Sequence, residues 1–201
     1  MSSYKFHYEK YLYSNPYLID LVIKNYPLAL IINERNGKII TSHIPLFRAN
    51  DRSLFGHADK NNPQFQENEI SNVYIVFMGC QSYISPDIYH DNALPTWNYI
   101  SVHAQGHLSV INDIAINHDT LKKTCNHLQH ISTAFQYHSE DTRNINNISE
   151  ISTLKINTFY EEGRFKLSQE KDIIDRNAAI QYMIKNKDDV NYMVLKEILK
   201  I

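Results

Sequence analysis

The 201-residue chain lacks the features that stabilise or target several classes of protein. Its two cysteines, Cys80 and Cys125, form neither a disulfide framework nor a metal-binding spacing, so we expect a reducing compartment, the cytoplasm. The longest apolar runs, residues 28–32 and 73–78, are too short to cross a bilayer, so no membrane association is expected. Polar and charged residues near the N-terminus replace the apolar core of a signal peptide, which predicts no export.

The chain also lacks any run rich in lysine and arginine, and its formal net charge is −2. Proteins that bind nucleic acid usually carry a basic patch or stripe, because the phosphate backbone dominates their affinity. No clear helix-turn-helix pattern is present either. The composition therefore argues against direct binding to DNA.

Three common motifs of catalytic and cofactor sites are absent. There is no G-x-S-x-G of serine hydrolases, no G-x-G-x-x-G of dinucleotide-binding folds, and no H-E-x-x-H or Cys/His quartet of zinc sites. Four histidines surround one predicted helix, and a solvated helix face explains them better than a metal site: His118, His127, His130 and His138. The sequence identifies no catalytic residue and predicts no metal.

Short alternating segments separated by turns predict a mostly β protein. The dipeptide Asn36-Gly37 favours a hairpin between strands at 28–33 and 38–47, and Pro45 places the end of the second strand at an edge or a bulge. Further strands are predicted at 53–57, 73–78, 98–105, 108–111, 153–160 and 164–167. The run 73–78 indicates a fully buried strand. Gly106 indicates a break between two strands, and residues 161–163 indicate a turn.

Helical patterns are placed around these strands. Asn15 and Pro16 predict a capped helix, and the Asn62-Pro63 pair opens a short one. Apolar residues at helical spacing predict an amphipathic helix over 119–136, followed by a polar loop over 138–150. Two C-terminal helices are predicted within about 172–200. The whole chain, 1–201, is predicted to be one domain, a β-barrel with peripheral helices.

Four sequence blocks, in order along the chain, carry a resemblance to a known family. They are Asn25-Tyr26-Pro27-Leu28-Ala29 with Ser42-His43-Ile44-Pro45-Leu46; Leu54 to Pro63, with Gly56-His57-Ala58-Asp59-Lys60-Asn61 at its centre; Tyr83 to Gly106, with Pro95-Thr96-Trp97-Asn98-Tyr99; and Gly163-Arg164-Phe165-Lys166-Leu167-Ser168-Gln169. The chain resembles the PaiB-type FMN-binding negative transcriptional regulators of the FMN-binding split-barrel superfamily.

The resemblance implies a split β-barrel that binds FMN, in a homodimer with the flavin at the subunit interface. Lys60 and His57 are the candidates for the phosphate, helped by the start of the helix that follows. The full set of implied cofactor-binding residues is His43, Ile44, Pro45, His57, Lys60, Asn61, Tyr83, Ser85, Trp97, Asn98, Tyr99, Lys166 and Ser168. Trp97, Tyr99 and Tyr83 would stack on or line the ring, and Asn98 would bind its polar edge.

Plainer interpretations stay open for several of these residues. Lys60 also fits a solvated surface lysine, Trp97 a core or interface residue, and Ser85 a turn. Other functions stay open too: a flavin-dependent oxidoreductase, a binding module without redox chemistry, or a haem-binding or haem-degrading split barrel. For haem, His43, His57 or His103 are the candidate axial ligands.

Overall fold

The computed structural model describes residues 8–66, 70–90, 93–129, 135–185 and 189–200. Within them the strands are β1 (Leu12–Tyr13), β2 (Leu28–Arg35), β3 (Lys38–Pro45), β4 (Phe47–Arg48), β5 (Leu54–Asp59), β6 (Ser71–Ile84), β7 (Thr96–Ile111) and β8 (Ile151–Lys166). The helices are α1 (Pro16–Asn25), α2 (Ile114–Leu128), α3 (Thr142–Asn147), α4 (Ile173–Lys185) and α5 (Asp189–Leu199). The mostly β class with peripheral helices is confirmed.

The eight strands form one sheet in the order β3-β2-β6-β7-β8-β5-β4, with β1 paired to β8. The described residues divide into two compact units. The first comprises residues from 8–26, 77–103 and 161–200, and the second comprises residues from 27–76 and 104–160. Strands β6, β7 and β8 contribute residues to both units.

The second unit begins with the predicted hairpin. Asn36 and Gly37 both have positive φ, 51° and 74°, as a type I′ turn requires, and all of β2 pairs with β3. Strand β5 pairs along its whole length with residues 151–156 of β8, and helix α2 packs against β5. The core is apolar and fully shielded from water: Ile31, Leu46, Leu54, Ile75, Leu108 and Leu154.

The first unit contains the N-terminal helix and the two C-terminal helices. Asn15 caps α1 by accepting the Tyr17 N–H at 3.0 Å, with Pro16 at the first helical position, as predicted. Helix α5 packs against α1 and α4, and the Tyr26 hydroxyl donates to Asn191 at 2.7 Å. The core residues are Ile23, Phe77, Ile84, Ile100, Phe165 and Met183.

Five predicted strands, 73–78, 98–105, 108–111, 153–160 and 164–167, were wrong in extent because they are parts of three longer strands. Strand β6 runs to Ile84 and buries one face only, with Met78 47% exposed, so it is not fully buried. Strand β7 continues through Gly106, where a Cβ would lie 2.8 Å from the Asn157 carbonyl oxygen. Glycine serves a close approach to β8 there, not a break. Strand β8 likewise continues through residues 161–163 without a turn.

The helical predictions between 114 and 150 were only partly right. Helix α2 starts at Ile114, capped by Asp113, and ends at Leu128, so Phe135 lies outside it, and residues 130–134 lie outside the described residues. The predicted polar loop over 138–150 contains helix α3 and a 3-10 turn at Ile148–Glu150. Its short length and polar composition hid the helix from a search for apolar periodicity.

One buried side chain holds α2 on the sheet. The Asn117 amide donates to the Ile151 carbonyl at 2.9 Å and accepts from the N–H and hydroxyl of Thr153 at 3.1 and 2.8 Å. Asn117 is 1% exposed. These bonds satisfy groups that water does not reach, which makes this amide a fixed point of the second unit.

Replacing Asn117 by leucine is expected to lower the free energy of unfolding by about 3 kcal/mol, because the Thr153 N–H and the Ile151 carbonyl lose this buried partner and the Thr153 hydroxyl keeps only Thr120. Asn126→Leu, on the exposed side of the same helix, is the matched control and should change it by no more than about 0.5 kcal/mol. Chemical denaturation measures both. Equal losses for the two variants would contradict the role given to Asn117.

Candidate functional site

Two of the sequence blocks meet in the second unit, at the end of β3. A Cβ added to Gly56 would lie 2.5 Å from the Pro45 carbonyl oxygen and 2.9 Å from the Leu46 side chain. Only glycine therefore lets β5 come this close to the backbone at 44–46. The block around His43 and the block around His57 are thus packed against each other.

A hydrogen bond joins the same two blocks further along. The Asn62 amide donates to the Ser42 hydroxyl at 3.0 Å. The turn at residues 59–64 is held by its own side chains. Asp59 accepts the Asn61 N–H at 2.7 Å, and Asn62 accepts the Gln64 N–H at 3.0 Å. Neither Ser42 nor Asn62 was predicted from the sequence as a site residue, although the Asn-Pro pair marked the turn.

Four polar side chains of these blocks have no side-chain partner among the described residues. His43, His57, Lys60 and Asn61, hereafter the donor cluster, form no side-chain hydrogen bond or ion pair with the described part of the chain. His43, Lys60 and Asn61 are exposed, and His57 is half-buried on β5. The backbones that carry them are fixed, so the cluster offers unpaired donors at defined places.

Burial lowers the pKa of His57 below its ordinary value. The imidazole is therefore neutral near pH 7, with one nitrogen that donates and one that accepts. Lys60, an exposed residue three positions further along the chain, supplies a positive charge. A cation, a neutral imidazole and an amide are each able to bind a phosphate or another oxygen-rich group.

The predicted help from a helix N-terminus was wrong. The element after Lys60 is a single 3-10 turn, Pro63–Phe65, and the Asn62 side chain already accepts the Gln64 N–H. A turn of three residues has no row of aligned peptide dipoles to attract an anion.

The first unit holds the aromatic candidates. The Tyr83 and Trp97 rings lie 6.1 Å apart at 49°, and both are nearly half exposed. The Trp97 indole N–H donates to Gln81 at 3.0 Å, which fixes the indole ring. Ser85 caps the 3-10 turn Pro86–Ile88, in line with the turn interpretation.

Asn98 and Ser168 are fully buried and bonded to each other. The Asn98 amide donates to the Ser168 hydroxyl at 2.9 Å, and the Tyr89 hydroxyl lies 2.9 Å from the same oxygen. Ser168 has a φ of 57°, in the left-handed region that non-glycine residues rarely adopt. This network, with Tyr89 as the member that sequence reasoning missed, fixes the chain after β8.

Lys166 and Tyr99 are half-buried in the same unit. The Lys166 ammonium donates to the Thr96 hydroxyl at 2.5 Å. Burial raises the pKa of Tyr99, and Arg164 opposes that shift. The phenol of Tyr99 is therefore a neutral hydroxyl at physiological pH.

The chain matches a known protein family over most of its length. The family model described as "Putative FMN-binding domain" matches residues 6–158. The chain belongs to this family. The resemblance inferred from the sequence is confirmed, and with it FMN as the family's cofactor.

A named relative and two solved structures agree with this membership. The chain is 25% identical over 175 residues to the protease synthase and sporulation protein PAI 2 of Bacillus subtilis, covering 85% of this chain and 84% of the relative. The flavocytochrome Anf3 of Azotobacter vinelandii matches with a TM-score of 0.64 at 14% identity, covering 85% of this chain and 77% of that one. An FAD and heme binding protein of Mycobacterium smegmatis matches with a TM-score of 0.62 at 16% identity, covering 84% of this chain and 80% of that one. The predicted split-barrel fold is confirmed.

The described part of the chain contains neither a cluster of metal ligands nor a membrane-spanning helix. Among the described residues, no three His, Cys, Asp or Glu side chains converge as metal ligands, and His130 lies outside those residues. No helix in the described ranges has the length and apolar character needed to span a membrane.

The neutral form of His57 predicts a pH-dependent stability. Because the folded pKa lies below the unfolded one, the unfolded chain binds the proton more readily, and the stability falls as the pH drops below about 6.5. The His57→Gln variant should not show this loss of stability at low pH. The His43→Gln variant, which replaces an exposed imidazole, should still show it. Thermal unfolding between pH 5 and 8 measures the difference. Identical pH profiles for both variants would refute the assignment.

Proposed function

We propose that this family member binds FMN with the phosphate end on the donor cluster. The observation that carries the proposal is the unpaired state of His43, His57, Lys60 and Asn61 on two segments packed together at Gly56. Phosphate oxygens need several charge-assisted donors, and Lys60 provides the charge. When bound, the flavin ring supplies redox chemistry, while the protein positions it and shapes its surroundings.

The strand beside the cluster has a role in the same proposal. Ile44 and Pro45 present their backbone next to His43, and Gly56 keeps that backbone in place. Proline has no N–H to donate, so only carbonyl groups are available at its position. We propose that Ile44 and Pro45 shape the flavin site and contribute no charged group to it.

The aromatic residues of the first unit stay predicted contacts of the flavin ring. Tyr83 and Trp97 offer the flat apolar faces that such a ring needs, and the half-buried Tyr99 adds a neutral hydroxyl. Asn98 and Ser168 use their polar atoms on each other, and we therefore propose positioning roles for them. We give the same role to Lys166, bound to Thr96, and to Ser85, which caps a turn.

The biological role that we propose is that of a PaiB-type negative regulator in the cytoplasm, acting as a homodimer. Similarity to the sporulation protein PAI 2 supports regulation, and the two free thiols support a reducing compartment. The net charge of −2 supports action through a ligand or a protein partner rather than directly on DNA. Sedimentation of the FMN-loaded protein tests the dimer, and a monomer at micromolar concentration would contradict it.

Haem is a second candidate cofactor. Structural neighbours described as a flavocytochrome and as an FAD and heme binding protein share this fold, and His57 is a half-buried imidazole without a partner in the described residues. A neutral imidazole is the usual protein ligand of haem iron. A Soret band that shifts in the His57→Gln variant would favour haem. If the protein takes up no haem, haem is excluded as its cofactor.

The direct test of the FMN proposal compares FMN with riboflavin, which lacks the phosphate. Lys60→Met is expected to weaken FMN binding about tenfold to hundredfold, because a charge-assisted contact is lost. Riboflavin binding should stay unchanged. Quenching of flavin fluorescence on titration gives both affinities.

Lys38→Met is the matched control, since Lys38 is an exposed lysine of the same unit at the far end of β3. It should bind both flavins like the unaltered protein. Equal weakening of FMN and riboflavin by Lys60→Met would show that Lys60 does not contact the phosphate. No binding of FMN to the unaltered protein would overturn the proposal itself.

A further inference from the structure

A cavity of about 530 Å³ lies within the second unit, between helix α2 and strands β4, β5 and β8. Its volume falls in the range of small-molecule sites. None of the residues that line it belongs to the donor cluster or to the other predicted flavin contacts. The cavity is therefore not explained by the function proposed above.

The inner wall of the cavity is apolar and aromatic. Phe55, Ile111 and Ile116 line it, and Ile116 is 41% exposed although it lies beside the core. The His127 ring also lines the cavity and lies 5.5 Å from Phe55 and 5.1 Å from Phe47, in a cluster of three rings. Flat rings at these distances suit a further planar aromatic group.

The polar wall of the cavity carries two lysine–aspartate ion pairs and an arginine. Lys123 pairs with Asp119 at 2.6 Å, and Lys155 pairs with Asp51 at 2.9 Å. Arg48 also lines the cavity, and its guanidinium donates to the Arg52 carbonyl at 2.8 Å. Each lysine ammonium has three donors and gives one to its aspartate, which leaves further N–H groups for an anion.

We propose that this cavity binds a planar aromatic carboxylate, with the ring against Phe55, Ile116 and His127 and the carboxylate near Lys123 and Lys155. The remaining N–H donors of Lys123 and Lys155 select a carboxylate over an uncharged ring. The apolar wall selects a ring over a small inorganic anion, which would leave that wall against water. Binding here is separate from binding of FMN at the donor cluster.

The probes are 2-naphthoate and its uncharged amide, 2-naphthamide, titrated into the FMN-loaded protein by calorimetry. The acid is expected to saturate the site by about 1 mM and to bind at least about tenfold more tightly than the amide. Lys155→Met should reduce this preference to about twofold or less, since the nearby cation is gone.

A pair of variants on α2 tests the location. Ile116→Trp fills the cavity and should abolish binding of both probes. Ile114→Trp, two residues earlier on the same helix and 48% exposed, does not line the cavity and should bind both probes normally. Both are surface positions, so folding is expected to survive, which circular dichroism checks.

Several results would overturn the proposal. These are no binding of the acid at about 1 mM, equal affinity for acid and amide, or an unchanged response in Ile116→Trp. Release of FMN by the acid would show that the cavity belongs to the flavin site and would also refute a separate site. If the acid binds while Lys60→Met leaves FMN affinity unchanged, the cavity stands and the proposal for the donor cluster fails.

Discussion

The position of strand β5 is the constraint on which both proposed sites depend. All six of its residues pair with β8, and Leu54, Gly56 and Ala58 point into the core. The missing side chain of Gly56 lets the strand touch the Pro45 carbonyl, which joins two sequence blocks. The opposite face carries Phe55 toward the cavity and the half-buried His57. Any side chain at Gly56 would move both faces together.

The polar residues of the family blocks divide into two kinds by what their atoms already bind. Asn98 and Ser168 satisfy each other inside the protein, so a ligand would have to break existing bonds to reach them. His43, His57, Lys60 and Asn61 have no such bonds within the described chain. A ligand therefore gains contacts at the donor cluster without that loss. This difference is why the phosphate is assigned to the cluster and the buried pair is given a positioning role.

Sequence patterns predicted the parts of the fold that depend on local interactions. The Asn36-Gly37 hairpin, the Asn15 cap and the C-terminal helices were correct because turn and cap chemistry act within a few residues. Gly106 and residues 161–163 were misread because long strands place glycine where another strand approaches, and a single sequence does not show that neighbour. The donor cluster was found only through the family blocks. The sequence does not show that these side chains lack partners within the described residues, nor that the Asn62–Ser42 hydrogen bond joins the segments that carry them.

The same strand explains why the two sites are expected to act independently. Coupling between sites requires an element with two arrangements that each ligand favours differently. Strand β5 has its full ladder to β8, a second partner in β4, and Gly56 in van der Waals contact with the backbone at Pro45. A ligand on Phe55 therefore meets a strand with a single arrangement, although His57 lies only two residues away on the same face. If an aromatic acid did change the affinity for FMN, the linkage would be mutual, and the change would have to arise in α2, whose hold on β8 rests on Asn117.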